Sequence, residues 1–598
     1  MANVIPKRDQ IPEKDTWDLT ELFESDDKWF QEFEDLKTVP EQLSQYCGKL
    51  GESAEELLSY LKLEDSVSLR IEALHGYANC KADQDTSNGF YQDMRGKAIS
   101  RYVDISGAAA FAGPEIMAID VDRLNLFYIA QPELETYRRS LYRIRRRADH
   151  ILSPAEEKLL AAAGEMADAP DNIIGVFRNA DLKFPAVSDS VGELHPLTSG
   201  SFVPLLESED RNLRKNAFEA YFGKMAEFKN TVAATLDAQF KQLKFFAKAR
   251  NYPSTIEASL DRTEVPVEVY TNLIEAVHQN MDKMYRYVRL RKKLLDLDEL
   301  HMYDVYTPIV NAASETISFE QAKETVLEAL QVLGEDYTDT LKEGFEKRWI
   351  DVYENEGKRS GAYCTGSSRP HPYVLLNHKD NLNSMLTLAH EMGHALHSYY
   401  SSKNQPVNTS DYVIFVAEVA STCNEVLLLR HLLKNTTDKK QRAYLINHFL
   451  DGFKGSVYRQ TMFAEFELEM GKMSERGETL TAEALCEKYH ELNKLYFGPD
   501  MVSDEGIALE WARVPHFFYN YYVFQYATGF SAAVAIANRI LSLGESAVED
   551  YKRFLSSGGS NDPISLLKIA GVDMSSPEPV NSALELFDEL LNEMEQLV

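Results

Sequence analysis

Apolar residues recur every three or four positions along most of this chain, which is the spacing of one face of an α-helix. The pattern predicts long amphipathic helices near residues 53–80, 205–250, 264–296, 438–475 and 517–543. Two further helices begin with capping boxes, in which Ser153 precedes Glu156 and Ser318 precedes Gln321 by three positions. The chain is therefore expected to be mostly α-helical.

Strand-like patterns are few and short. Residues 180–206 carry turn residues between short apolar runs and predict a β-hairpin. Residues 361–377 carry a Gly/Ser turn followed by a β-prone run. Its last part, "PYVLLN" (372–377), leads into a helical pattern. It predicts either an exposed strand edge that can pair with an extended peptide or a buried strand.

The chain has 598 residues, which is too long for one ordinary hydrophobic core. The hairpin at 180–206 is the best candidate for a boundary between two lobes. We expect an N-terminal helical lobe at residues 1–195. The second lobe, at residues 196–598, carries every motif with a chemical meaning and is expected to be catalytic.

The composition, with 44% hydrophobic and 26% charged residues, is that of a soluble globular protein. No apolar run reaches the roughly 20 residues that a membrane span needs. The N-terminus, "MANVIPKRDQ", is charged and lacks the apolar core of a signal peptide. The five cysteines are far apart and form no CxxC pair. We therefore expect a cytoplasmic protein with no membrane partner and no disulfide bonds.

The formal net charge is −31, from 63 basic and 94 acidic residues. Such a surface repels the phosphates of a nucleic acid, so no nucleic-acid partner is expected. The one basic cluster, "YRRSLYRIRRR" (137–147), is most simply a solvated helix face or a strip of salt bridges. The sequence gives no indication of the oligomeric state.

The stretch "LTLAHEMGHALHSYY" (386–400) places two histidines four residues apart, with Glu391 beside the first. On a helix His390 and His394 lie on the same face, so both imidazoles can bind one zinc ion. Glu391 is placed to reach a zinc-bound water without binding the metal itself. The alternative is a solvated helix that happens to carry two histidines. A zinc site, unlike that alternative, requires a third ligand.

The third ligand is sought downstream. The metzincin pattern would need Gly at 397 and His at 400, but the chain has His397 and Tyr400, which excludes that class. The helical pattern "DYVIFVAEVASTCNEVLLL" contains Glu418 among apolar neighbours. A buried glutamate needs a partner, so we predict that Glu418 is the third metal ligand. Glu425, seven residues on, either accepts a hydrogen bond from a ligating histidine or is a solvated carboxylate.

A second group of polar side chains lies in "HFFYNYYVFQYATG" (516–529). On the predicted helix Tyr519, Tyr522 and Tyr526 lie on one face, and His516 lies at its start. Donors grouped in this way can stabilise negative charge that develops on a carbonyl oxygen. The alternative is packing of the aromatic rings in a core.

In these stretches the chain resembles the oligoendopeptidase F type of zinc oligopeptidase, in the thimet-oligopeptidase-like family. The resemblance rests on "HEMGHALHS", on "FVAEVASTCNE" and on the tyrosine-rich stretch. It extends to "WDLTELF", "GAYCTG" and the tail "FLSSGGSNDPISLLKIAGVDM", and so spans nearly the whole chain. The resemblance implies two helical lobes that enclose a deep channel, with a small β-sheet beside the metal helix. It also implies one zinc ion per chain and short peptide substrates, because such a channel excludes folded proteins.

We therefore predict a zinc metalloendopeptidase that cleaves internal bonds of short oligopeptides. Zinc is bound by His390, His394 and Glu418, and Glu391 is the general base. The resemblance favours His516 and at least one of Tyr519, Tyr522 and Tyr526 as donors to the oxyanion, and the sequence does not distinguish the three tyrosines. One alternative is a zinc aminopeptidase, although the GxMEN stretch that commonly binds the free amine is missing. The other is a non-catalytic peptide-binding scaffold.

Overall fold

The computed structural model describes residues 5–310, 316–365 and 370–598, without the side chains of Pro154 and Glu165. In these residues the chain forms 27 α-helices and seven β-strands of two residues each. Short 3₁₀ and π-helical segments connect several of the helices. The prediction of a mostly α-helical fold with small sheets is confirmed.

The first fifteen helices are α1 (Asp26–Asp35), α2 (Val39–Ser44), α3 (Ala54–Gln84), α4 (Gly89–Ala109), α5 (Ala112–Ala118), α6 (Val121–Ala130), α7 (Arg138–Arg145), α8 (Pro154–Ala167), α9 (Ala169–Val176), α10 (Phe202–Leu206), α11 (Arg211–Ala226), α12 (Lys229–Ala249), α13 (Thr255–Leu260), α14 (Val267–Gln279) and α15 (Met281–Leu294). The remaining helices are α16 (Phe319–Leu330), α17 (Glu335–Glu346), α18 (Leu382–Asn404), α19 (Val407–Ser410), α20 (Ile414–Asn435), α21 (Lys439–Gly452), α22 (Arg459–Glu475), α23 (Ala482–Phe497), α24 (Phe524–Leu543), α25 (Glu545–Leu555), α26 (Pro563–Ile569) and α27 (Glu578–Leu597). The strands are β1 (Val187–Ser188), β2 (Leu194–His195), β3 (Leu300–His301), β4 (Ile350–Asp351), β5 (Tyr363–Cys364), β6 (Val374–Leu375) and β7 (Met501–Val502).

Most of the predicted helices form, with additional breaks. Both capping boxes are present, between Ser153 and Glu156 and between Ser318 and Gln321. α3 covers the helix that was predicted near 53–80. The stretch predicted as helical at 205–250 is divided among α10, α11 and α12. The periodicity thus located the helical regions but not the turns between them.

The helix predicted near 517–543 is wrong over its first seven residues. α24 begins only at Phe524, and residues Pro515–Phe518 form a 3₁₀ turn. Between them Asn520 and Tyr521 have φ values of 60° and 59°. These values lie in the left-handed region, which a right-handed helix cannot contain.

The chain folds into two compact units, each assembled from three stretches. The first unit contains Met1–Asp149, Glu315–His431 and Ile536–Val572. The second unit contains His150–Ser314, Leu432–Ala535 and Asp573–Val598. The boundary predicted between residues 195 and 196 falls within the first stretch of the second unit. The division into an N-terminal lobe at 1–195 and a catalytic lobe at 196–598 stays a prediction.

The first unit contains a three-stranded sheet in the order β4-β6-β5. β6 is parallel to β4 and antiparallel to β5, with Val374 opposite Ile350 and Cys364. Val374 and Leu375 are fully buried. Residues 372–377 therefore contain the buried central strand β6 and not an exposed edge, because both sides of β6 are already paired. The predicted Gly/Ser turn at 366–369 lies outside the described residues.

The second unit contains two small sheets. β1 and β2 form the antiparallel hairpin that was predicted within residues 180–206. β3 and β7 pair in parallel. Charged side chains are buried in this unit as ion pairs, for example Arg214 with Asp304 at 2.8 Å. Pairing of this kind offsets the cost of removing a charge from water.

Two predictions concern the whole chain. Within the described part of the chain, no helix combines the length and the apolar character needed to cross a membrane. All five cysteines lie in described residues and are free thiols.

Two helices of the first unit, α18 and α20, approach each other closely at Gly393 of α18. A Cβ atom at this position would lie 2.5 Å from the Cα atom of Ser421 and 2.8 Å from the carbonyl oxygen of Ala420, both on α20. Backbone atoms cannot move aside as a flexible side chain can. Only glycine therefore allows α18 and α20 to pack at this distance.

Replacing Gly393 with Ala should lower the melting temperature, because overpacking at such a contact costs about 1–3 kcal/mol. Gly96→Ala on α4 is the matched control, since a Cβ there meets nothing within 4 Å. That substitution should raise stability by about 0.5–1 kcal/mol, through the better helix propensity of Ala. Thermal unfolding followed by circular dichroism compares the two variants. Equal melting temperatures would show that α18 and α20 are not held together at Gly393.

Candidate metal centre

Three side chains of the first unit converge where α18 meets α20. His390 and His394 lie one turn apart on α18, and Glu418 lies opposite them on α20. Glu418 Oε2 is 3.3 Å from His390 Nε2 and 3.4 Å from His394 Nε2. The close approach at Gly393, between the two histidines, brings the two helices together here.

Two of the three spacings among these atoms fit a tetrahedral metal ion. One nitrogen or oxygen atom from each of the three residues lies within 4.8 Å of the other two. Ligand atoms at zinc distances of about 2.0–2.1 Å are about 3.3–3.4 Å apart in tetrahedral geometry. The two distances from Glu418 match that value. His390, His394 and Glu418 can therefore hold a metal with three protein ligands and leave a fourth position open.

Glu425 lies one layer behind the three converging residues. Its Oε1 atom is 2.5 Å from Nδ1 of His390, the ring nitrogen that faces away from Glu418. A hydrogen bond at Nδ1 fixes the imidazole orientation and leaves Nε2 free to bind a metal. The neighbouring Asn424 donates to the carbonyl oxygen of Ala389 at 3.1 Å and ties α20 to α18. This geometry favours the interpretation that Glu425 accepts a hydrogen bond from His390 over the interpretation that it is a solvated carboxylate.

The charged side chains of this site shift one another's pKa values. Burial opposes a charged His390, but hydrogen bonds with Glu418 and Glu425 outweigh burial and raise the pKa of His390 to about 10. Burial alone would raise the pKa of Glu418, yet the two imidazoles lower it well below its usual value. The carboxylates thus create a site that attracts positive charge.

Glu391 differs from the other acidic residues of the site. It is only 7% exposed, and its Oε2 atom has no hydrogen-bond partner among the described residues. Burial raises the pKa of its carboxyl group, while His390 and His394 lower it to a smaller extent. A carboxyl group with a raised pKa is suited to accept and return a proton near neutral pH.

A cavity of about 980 Å³ opens beside these residues, and its walls belong to the first unit. One wall contains His390, Glu391, His394 and Glu418. β5 forms a second wall, and both β5 and β6 pack against α18, as predicted for a sheet beside the metal helix. In the described part of the chain, β5 pairs on one side only and is the edge strand of its sheet.

A hydrogen bond to Asp83 of α3 fixes the position of β5. The hydroxyl group of Tyr363 donates to Oδ2 of Asp83 at 2.8 Å. Arg359 and Arg95 also bond to the carboxylate of Asp83, which is 2% exposed. The edge strand that faces the cavity therefore has a fixed position.

The other predicted site residues belong to the second unit. His516, Tyr519, Tyr522 and Tyr526, here called the His516 cluster, group their rings as predicted. The ring centroid of His516 is 5.5 Å from that of Tyr519, 6.1 Å from that of Tyr522 and 5.9 Å from that of Tyr526. Burial, and to a lesser extent Arg178, lowers the pKa of His516, so its imidazole is neutral at neutral pH.

The prediction that Tyr519, Tyr522 and Tyr526 lie on one helix face is wrong. Of the three, only Tyr526 lies on α24, while Tyr519 ends the 3₁₀ turn and Tyr522 precedes α24. The left-handed residues Asn520 and Tyr521 reverse the chain between them and bring the rings together. The roles predicted for the four residues stay predictions.

Sequence reasoning missed the apolar wall of the cavity. Ile99 and Tyr102 of α4 line the cavity and are 46% and 55% exposed. Their spacing of three residues is typical of any helix face that packs into a core. Nothing in the sequence distinguishes a face that lines a cavity from one that is buried.

Comparisons with known proteins bear on this geometry. The family model described as Peptidase family M3 matches residues 204–586, and the one described as Oligopeptidase F matches residues 115–184. The oligopeptidase PepF of Bacillus subtilis (strain 168) is 47% identical over 597 residues, covering 100% of this chain and 89% of that relative. The chromosomal oligoendopeptidase F of Lactococcus lactis subsp. cremoris is 42% identical, covering 100% of this chain and 99% of that relative.

Among solved structures, the crystal structure of oligoendopeptidase-F from Enterococcus faecium superposes with a TM-score of 0.75 at 38% sequence identity. The superposition covers 96% of this chain and 99% of that chain. These matches confirm the resemblance that the HExxH stretch and its flanking segments suggested. The family implies a metal, and the convergence of His390, His394 and Glu418 provides a place for one. This chain therefore belongs to peptidase family M3, in its oligopeptidase F group.

Proposed function

We propose that this peptidase is a zinc metalloendopeptidase that hydrolyses internal bonds of short oligopeptides. The observation that carries the proposal is the convergence of two imidazoles and one carboxylate beside the buried carboxyl group of Glu391, in one cavity. The names of the similar proteins, oligopeptidase and oligoendopeptidase, support the choice of oligopeptides as substrates.

Zinc is proposed because two imidazole nitrogens and one carboxylate oxygen suit it, and because the two distances from Glu418 match tetrahedral coordination. When bound, zinc supplies Lewis-acid chemistry, polarising a carbonyl group and lowering the pKa of water from 15.7 to about 7. His390, His394 and Glu418 hold the ion, and Glu425 orients the His390 ring through Nδ1.

Glu391 performs the proton transfers in this proposal. Its carboxylate accepts a proton from the attacking water and then delivers that proton to the nitrogen of the leaving amine. The buried, unpartnered Oε2 atom supports this role, because no other described group competes for it. Low solvent exposure further strengthens the electrostatic interactions of the carboxylate with its surroundings.

The edge strand β5 is proposed to bind the substrate backbone. An extended peptide can add to a free strand edge through main-chain hydrogen bonds, which do not depend on the peptide sequence. β5 lines the cavity, and Asp83 fixes it through Tyr363. This role replaces the one considered for residues 372–377, which lie in the middle of the sheet.

The His516 cluster is proposed to donate hydrogen bonds to the carbonyl oxygen as negative charge develops on it. Preorganised donors of this kind contribute about 2.7–4 kcal/mol each. A neutral His516 carries one N–H group, and the Tyr526 hydroxyl lies 3.4 Å from its Nε2 atom. The support for this role is the grouping of the rings together with the family resemblance.

The cavity wall on α4 supports a preference among peptides. Ile99 and Tyr102 present apolar surface to the cavity. Burying an apolar side chain of the substrate against them gains about 25 cal/mol per Å² of surface removed from water. Peptides with aliphatic or aromatic side chains near the cleaved bond are therefore the proposed substrates.

Removing Glu418 should abolish tight metal binding, because this residue supplies one of three ligand atoms. Removing Glu425 should weaken metal binding less. A residue that only hydrogen-bonds to a metal ligand typically contributes 10–100-fold in metal affinity or activity. The Glu418→Ala and Glu425→Ala variants are compared by metal content after dialysis against a competing chelator. Tight zinc binding by Glu418→Ala would place the third ligand elsewhere.

Glu391→Gln should keep the metal and lose turnover, because the amide retains the shape of the side chain but cannot accept the proton. The expected loss in kcat is about 10²–10⁴-fold. Metal content and kcat are measured on the same preparation, with an internally cleaved, N-blocked peptide as substrate. A fully metal-loaded variant with near-normal activity would remove Glu391 from the proton-transfer role.

Tyr102→Ala should lower kcat/KM by about tenfold for peptides with a large apolar side chain near the cleaved bond. Peptides with Ala at that position should be cleaved almost as before. Val103→Ala is the matched control, because Val103 is the next residue on α4, is 60% exposed and does not line the cavity. If both variants affect both peptides alike, the α4 wall does not select substrates.

A further inference from the structure

Two consecutive non-glycine residues of the second unit have left-handed backbone conformations. Asn520 has φ 60° and Tyr521 has φ 59°. Asparagine tolerates this region, but a bulky aromatic residue in it is a rare outlier. Such strain persists only where the surrounding structure holds it, and it is concentrated at functional sites.

The contacts that hold Tyr521 come from two helices. Its backbone N–H donates to Oε1 of Glu467 at 2.6 Å, and its hydroxyl group lies 2.8 Å from Oγ1 of Thr255. Tyr521 itself is only 2% exposed, and Glu467 is completely buried. Burial raises the pKa of Glu467 to about 8, and the hydrogen bond from Tyr521 limits the rise.

Gly471 provides the space that the Tyr521 side chain occupies. It lies one turn after Glu467 on α22, so both residues share one helix face. A Cβ atom on Gly471 would lie 1.9 Å from the hydroxyl oxygen of Tyr521, whereas the ring carbon Cζ would be 3.2 Å away. We call Thr255, Glu467 and Gly471 the Tyr521 pocket.

Asn520 is held from another helix. The side-chain amide of Gln239, on α12, donates to Oδ1 of Asn520 at 2.8 Å and to the carbonyl oxygen of Phe518 at 3.1 Å. Gln239 is 3% exposed. Both residues of the turn are therefore fixed by buried polar groups, and not by the propensity of the local sequence.

The turn decides how the His516 cluster is arranged. Tyr519 precedes it and Tyr522 follows it, and their ring centroids lie 6.3 Å apart. A continuous helix would place these two residues on adjacent turns of a face, without the reversal at Asn520 and Tyr521. Displacement of Tyr521 must therefore move the two tyrosines relative to each other and to His516.

We propose that the Tyr521 pocket is a positioning site for catalysis, which keeps the His516 cluster in its working arrangement by holding Tyr521. This inference rests on the role of the His516 cluster given under the proposed function. None of the pocket residues touches the substrate in this scheme. They act through the backbone turn.

Gly471→Ala is the first test. The added methyl group collides with the Tyr521 hydroxyl and should displace the turn. A displacement on the order of 1 Å in a catalytic group can reduce turnover roughly 100-fold. We expect kcat for peptide hydrolysis to fall by about that factor, while KM and bound zinc stay within about twofold of the unmodified protein, because the metal ligands and the cavity belong to the other unit.

A second substitution should reverse the effect. In Gly471→Ala/Tyr521→Phe the colliding hydroxyl is absent and the closest remaining ring atom can adjust by a few tenths of an ångström. We expect kcat of the double variant to return to that of Tyr521→Phe alone. Gly223→Ala on α11 is the matched control, since a Cβ there meets nothing within 4 Å, and its kcat should be unchanged.

Substitutions at Glu467 provide a second, independent test. Glu467→Gln keeps an oxygen acceptor for the Tyr521 N–H group and should keep most of the turnover, whereas Glu467→Leu removes the acceptor and should lose it. Should Gly471→Ala fail to fold, Glu467→Leu carries the test, with the same loss of kcat at unchanged KM expected.

Two results would overturn the proposal. One is normal kcat in Gly471→Ala or Glu467→Leu. The other is a lower melting temperature with full kcat for each zinc-loaded molecule, which would mean that the pocket only stabilises the fold. Failure of the proposed function is distinguishable, because the unmodified protein would then cleave no peptide and Glu391→Gln would change nothing.

Discussion

The close approach of α18 and α20 at Gly393 is the contact on which the candidate metal centre depends. Two α-helices rarely come so near that the backbone of one occupies the place of a side chain on the other. At this distance a glutamate of α20 reaches the imidazoles of α18 directly, and the amide of Asn424 can bond to the backbone of Ala389. A wider separation would leave Glu418 too far from His390 and His394 to share one ion with them.

The charges around this contact explain why the site suits a cation. Three carboxyl groups, those of Glu391, Glu418 and Glu425, and two imidazoles are gathered here, with Glu391 buried and the other four side chains partly exposed. Despite burial, hydrogen bonds with Glu418 and Glu425 raise the pKa of His390. A divalent cation bound at the same point displaces a proton from that imidazole, so metal binding and proton release are coupled. Glu391 stands apart because it has charged neighbours, while its Oε2 atom has no hydrogen-bond partner in the part of the chain that the structure describes.

The protein builds its two groups of polar side chains in different ways. The histidines of α18 are aligned by regular helix geometry, which repeats every 3.6 residues whatever the rest of the chain does. The His516 cluster instead depends on an irregular turn, and that turn depends on buried contacts with Gln239, Thr255 and Glu467. A regular helix can be read from local periodicity, but a strained turn cannot, because distant residues stabilise it.

The sequence by itself determined the helical character, the two capping boxes, the hairpin at 180–206, the HExxH motif and the family, and it predicted Glu418 as the third ligand. All of these are local patterns or short motifs, whose geometry follows from the spacing of residues along a helix or strand. Only the tertiary structure decided that β5 and not 372–377 is the strand edge, that α24 begins at Phe524, that each unit contains three stretches of chain, and that Ile99 and Tyr102 face a cavity. The physical reason is the same in each case. Strand pairing, burial and backbone strain depend on residues that are far away in the chain. A single sequence does not show which of these residues come into contact.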